Sequence, residues 1–86
     1  MYRIELVRQA EKQLAKIYRS DRRLYERFLD AFESIRRNPA LGKPLKQNLK
    51  GLQSYRIGSY RILYEVHHGL LRILIIDLGH RKDIYQ

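Results

Sequence analysis

Arg56 and Arg61 are the first residues with a chemical claim. Between them Gly58-Ser59 reads as a two-residue type II′ turn, with glycine at the first central position. A hairpin closed there sets Ile57 opposite Tyr60 and Arg56 opposite Arg61. Like charges directly across a strand pair are destabilising, and sequences break such local rules mainly at functional sites. The functional reading is a phosphate clamp, because the guanidinium fork grips phosphate oxygens two at a time. The alternative is two solvated arginines splayed apart on an edge hairpin. A second cluster follows at Gly79-His80-Arg81-Lys82, with Tyr85 beyond it. It groups basic side chains beside a glycine that lets a backbone approach a ligand closely. The alternative there is a solvated basic end. Strict alternation sets His80, rather than Arg81, on the Arg61 face, and only a bulge at Gly79 reverses that.

Other chemistry finds little support. His67 and His68 are adjacent, so on a strand they point to opposite faces and cannot share a metal. No metal-binding His-Glu motif, calcium loop, phosphate loop or dinucleotide fingerprint occurs, so neither a metal nor a cofactor is expected. Asp77 and Asp83 do not make a convincing carboxylate pair, since Asp77 is placed to balance a nearby arginine. Zero cysteines exclude disulfides, thiol catalysis and thiolate metal sites.

Charge points to the class of partner. Lys and Arg number 18 against 9 Asp and Glu, a formal net charge of +9, and 12 of the 18 are Arg. A compact chain with this excess repels itself, so a neutralising partner is expected: nucleic acid, an anionic surface or an acidic protein. The longest apolar stretch, residues 70–78, contains Arg72 and Asp77 and is far short of the roughly 20 residues of a membrane span. With no secretory leader in residues 1–10 and no disulfides, a cytoplasmic location is expected.

The elements that must carry these residues follow from periodicity. Residues 2–7 alternate and predict a short strand. Ala10, Leu14, Ile17 and Tyr18 form one helical stripe, and Leu24, Phe28, Ala31, Phe32 and Ile35 form another. Ser20-Asp21 separates them and offers an N-cap. Asn38-Pro39 ends the second helix, because a residue before proline is pushed out of the helical region. Residues 39–52 read as one long loop carrying Lys43, Lys46 and Lys50, and loops are where binding residues gather. From Ser54 the period is two: Tyr55, Ile57, Tyr60, Ile62, Tyr64 and Val66 share a face. His68-Gly69 closes a second hairpin that sets Glu65 opposite Arg72, with residues 70–78 as a central strand. Leu63, Leu74 and Ile76 fall on the face away from the tyrosines, an apolar strip rimmed by cations and a candidate protein-binding groove. The expected architecture is α+β in a single domain over residues 1–86. Its order is β-α-α-β-β-β, with two N-terminal helices packed on one face of a small, mostly antiparallel sheet.

The runs Tyr55-Arg-Ile-Gly-Ser-Tyr-Arg-Ile-Leu-Tyr64 and Leu78-Gly-His-Arg-Lys-Asp-Ile-Tyr85 resemble the RelE/ParE superfamily, the toxins of type II toxin–antitoxin modules. The ending resembles its RelE branch. That resemblance implies a ribosome-dependent mRNA interferase that cuts message in the ribosomal A site, neutralised by a cognate antitoxin. The alternative is a ParE-type toxin acting on DNA gyrase without nuclease activity. Carried over residue by residue, Arg61 matches the phosphate-binding arginine, Arg81 the catalytic arginine and Tyr85 the C-terminal catalytic tyrosine. Arg56 falls where many relatives carry a lysine, and Gly58 stands where they carry another. His80, Lys50 and Lys82 are the groups able to compensate. Lys43, Lys46, Lys50 and Lys82 are the expected contacts to mRNA and ribosomal RNA, and Leu63, Leu74 and Ile76 the expected antitoxin contacts.

Overall fold

The two changes of hydrophobic period become two changes of element. In the computed structural model, which describes residues 1–80, β1 spans Arg3–Leu6, α1 Arg8–Ser20, α2 Arg22–Arg37, β2 Lys43–Pro44, β3 Gln53–Ile57, β4 Tyr60–His67 and β5 Arg72–His80. The candidates Arg81, Lys82 and Tyr85 lie outside the described residues. Asp21 caps α2 by accepting a hydrogen bond from the Leu24 backbone N–H (3.1 Å), which satisfies one of the orphan donors at a helix start. Asn38 ends α2, and its side chain opens a 3₁₀ turn over Pro39–Leu41.

The five strands lie in the order β1-β5-β4-β3-β2, with β1 parallel to β5 and every other pair antiparallel. Both helices cover one face. The α2 stripe is buried throughout, and Phe28 and Ile35 meet Ile62, Tyr64, Ile73 and Ile75 with no exposed surface. Each such side chain contributes on the order of 1.5–3 kcal/mol relative to an exposed one. In α1, Ala10 is buried and Leu14 and Ile17 pack against the core. Tyr18 is on the surface instead, edge-on to Tyr25 and stacked under the Arg22 guanidinium. No helix among the described residues is long and apolar enough to cross a membrane.

Three expectations need correction. Residues 39–52 are not one loop. They hold two 3₁₀ turns and the two-residue strand β2, which pairs with Gln53 and Ser54 and makes a fifth strand too short for any periodicity to mark. The β4–β5 connection is not a two-residue turn at His68-Gly69. A 3₁₀ turn over His68–Leu70 ends on Leu71 in the left-handed region (φ 50°), so His67 faces Arg72 and Glu65 faces Leu74. Arg72 reaches Glu5 of the parallel neighbour β1 instead (3.4 Å), and Glu65 meets His67 (3.0 Å). Finally, the strand irregularity falls between the pairs Leu63–Asp77 and Tyr64–Ile75, so the extra residue is Ile76 and Gly79 sits in regular pairing.

Candidate functional site

The hairpin register is the predicted one. Ile57 faces Tyr60 and Arg56 faces Arg61, and the turn has a positive φ at Gly58 (59°) but not at Ser59, as type II′ requires. Across the next strand pair Arg61 faces Gly79. Three adjacent strands therefore present the row Arg56, Arg61, Gly79, in which the third position carries no side chain. Arg61 is only 5% exposed, whereas Arg56 is exposed.

Above this row lies a cleft of about 360 Å³ lined by Leu41, Lys43, Leu45, Ser54, Tyr55, Arg56 and Arg61. Three of those seven residues are cationic and none is acidic, so the wall carries a single sign of charge. Such a concavity concentrates field and favours a bound anion. Lys43 enters because β2 and the preceding turn fold back over β3. Lys46 and Lys50 flank the next 3₁₀ turn, exposed and outside the cleft lining.

A residue assigned only to the core holds that fold-back in place. Tyr64 is fully buried, and its hydroxyl accepts from the Gly42 N–H (2.8 Å) and donates to the Pro39 carbonyl (2.8 Å). Gln53 completes the knot with its amide nitrogen turned to the loop, donating to the Pro39 carbonyl (2.9 Å) and to the Tyr64 hydroxyl (3.1 Å). Gly42 must be glycine because a Cβ there would run into the Tyr64 hydroxyl and ring edge. Burial pushes the Tyr64 phenol above its ordinary value of 10.0, opposed by the Gly42 hydrogen bond. The group is therefore a neutral structural donor and no proton shuttle. The available signal was the pairing of Gly42 with a tyrosine of the buried stripe, which no spacing rule connects.

The model of the ParE toxin of the type II toxin–antitoxin system parDE matches residues 4–85. The chain belongs to the RelE/ParE superfamily. It is 40% identical over 57 residues to toxin RelG and 41% identical over 56 residues to toxin RelE, both of Mycobacterium tuberculosis. These alignments take in 65% and 64% of this chain and 66% and 58% of the relatives, so the matched part spans less than two thirds of each. The fold is similar to the structure of the toxin–antitoxin complex RelBE2 from Mycobacterium tuberculosis, with a TM-score of 0.81 and 30% identity over 93% of this chain and 98% of that one.

Within this superfamily fold the sequence-predicted residues divide. Arg56, Arg61 and Lys43 come together. His80 does not join them: it faces Tyr60, with the two rings packed edge to face at 5.6 Å, on the opposite side of the sheet from Arg61. The reason is the bulge at Ile76, which shifts the phase of the strand by one residue three positions before Gly79. Among the described residues Asp77 pairs with no arginine; its carboxylate accepts from Gln9 and Gln13 of α1 (2.8 and 2.7 Å). Of the apolar strip, Leu63 is buried and Leu74 and Ile76 are half-buried, so it is not an open surface. His67 and His68 are bound to Glu65 and Tyr2.

Proposed function

We propose that the chain is the toxin of a type II toxin–antitoxin module and an endoribonuclease that cuts mRNA on the ribosome. The observation that carries this reading is the cleft around buried Arg61, whose charged lining residues are all cations. A phosphodiester fits its charge, and a buried guanidinium is held in place before the substrate arrives. In the proposed reaction the ribose 2′-oxygen forms a bond to the adjacent phosphorus as its proton leaves. The P–O5′ bond breaks and the 5′-oxygen takes up a proton. The products are a 2′,3′-cyclic phosphate and a 5′-hydroxyl end. Arg61, with Arg56, stabilises the charge that builds on the phosphorane oxygens, and preorganised donors of this kind are often the largest single contribution to catalysis. Lys43 holds a flanking phosphate. Arg81 and Tyr85 are the proposed second charge donor and proton-transfer group, with Lys46, Lys50 and Lys82 on the surrounding RNA. A cognate antitoxin of acidic, amphipathic character would cross Leu74, Ile76 and the neighbouring basic surface in the cytoplasm, where ribosomes are.

The ParE family match supports a second reading, inhibition of DNA gyrase by binding alone. One experiment separates them. The purified chain is added to ribosomes translating a defined message and, in parallel, to gyrase supercoiling a plasmid. Message cut within codons with supercoiling unaffected supports the nuclease; intact message with blocked supercoiling supports the gyrase inhibitor.

A further inference from the structure

The outer edge of β5 is covered in two different ways. Up to Ile75 it is paired by β1, ending with the Val7 N–H donated to the Ile75 carbonyl (3.0 Å). Beyond that point β1 has turned into α1, and the strand bulges at Ile76. A bulge leaves backbone groups without ladder partners, and buried ones must find another. Here a helix side chain supplies it. The Gln13 carbonyl oxygen accepts from the Leu78 backbone N–H (2.8 Å), while its amide nitrogen donates to the Asp77 carboxylate (2.7 Å). Gln9, one turn earlier, donates to the same carboxylate oxygen (2.8 Å). One glutamine thus grips both the backbone and the side chain immediately after the extra residue.

We infer that Gln13 and Asp77 form a clamp by which α1 fixes the phase of the end of β5, making Gln13 a positioning residue for the arginine cleft. The clamp decides a one-residue question, and a one-residue slip carries every side chain to the other face. With the bulge held at Ile76, Gly79 lies beside Arg61 and His80 against Tyr60. Without it, the Tyr64–Ile75 register runs on regularly, which sets Leu78 opposite Arg61 and carries His80 from Tyr60 to the Arg61 face. A leucine side chain then stands where Gly79 has none. The consequence for catalysis rests on the nuclease reading; the clamp itself does not.

The test exchanges donor for acceptor. Gln13→Glu sets a second carboxylate against Asp77 and breaks the clamp. Gln13→Glu combined with Asp77→Asn restores it: the Asn amide nitrogen takes the place of the shared oxygen and donates one hydrogen to the new carboxylate and the other to the Gln9 carbonyl once the Gln9 amide turns over. In the full-length protein, Gln13→Glu is expected to speed Leu78 amide hydrogen exchange by about tenfold, the size of one net hydrogen bond, and to abolish the Tyr60–His80 ring contact seen by NMR. The double variant should recover both, and ribosome-dependent cleavage should fall and recover with them. Unchanged Leu78 protection and ring contact in Gln13→Glu would overturn the clamp, as would failure of the double variant to recover them. Wild-type cleavage by a Gln13→Glu protein that has lost the ring contact would overturn the positioning role. If wild type cleaves nothing, the nuclease reading fails while the NMR measurements still decide the clamp.

Discussion

Tyr64 shows how a single buried residue links packing to the cleft. Its ring fills the core, and its hydroxyl ties down the turn that delivers Lys43. Tyr64→Phe keeps the ring and strands the Gly42 N–H, so it should cost on the order of 1–3 kcal/mol. For a chain of this length that corresponds to a fall of roughly 4–8 °C in melting temperature per kcal/mol, readable by calorimetry. The titration has a definite sign. The folded phenol holds its proton to higher pH than the unfolded one, so its contribution is complete below the ordinary value of 10.0 and is lost as pH rises through the raised folded value. Between the ordinary value and the raised one, wild type should lose stability with pH more steeply than Tyr64→Phe. Equal slopes in urea titrations across that range would show that the phenol is not desolvated.

At the scale of elements, β5 separates what the sequence reveals from what it conceals. The helices, their stripes, the Asp21 cap and the β3–β4 register were legible, because each rests on a local rule: a period, a capping residue, a turn with glycine at the required φ. The bulge at Ile76 was not, because it is set by glutamines that hold the following residue, Asp77, from 64 and 68 residues away in the chain. The same holds for β2, which exists through its partners Gln53 and Ser54. The site was legible to the same degree. The Arg56–Arg61 pair followed from turn chemistry, while the inclusion of Lys43 and the exclusion of His80 depended on non-local contacts. The phase of β5 carries its own prediction. With His80 packed edge to face on Tyr60 away from the cleft, His80→Gln should change single-turnover cleavage by less than about threefold, well below the 10²–10⁴ that general acid–base catalysis supplies. Tyr85→Phe should slow it more. The reverse order would assign proton transfer to the histidine and contradict the observed phase.

Across the whole molecule the net charge of +9 sets how a partner is met. Binding to ribosomal RNA should weaken steeply with salt, because each phosphate neutralised releases counterions. Lys43→Gln should lower the slope of log affinity against log salt by about one, as expected for one lost phosphate contact. An unaltered slope in filter binding to ribosomes would remove Lys43 from the RNA interface. The measurement that bears most directly on the whole account is single-turnover cleavage of a message on programmed ribosomes, by wild type and by Arg61→Ala with its fold verified by circular dichroism. Wild type should leave a 2′,3′-cyclic phosphate and a 5′-hydroxyl. The variant should be slower by on the order of 10²–10³, the cost of removing one preorganised donor to a developing oxyanion. Equal rates for the two proteins, or no cleavage by wild type, would contradict the claim that this cleft cuts RNA.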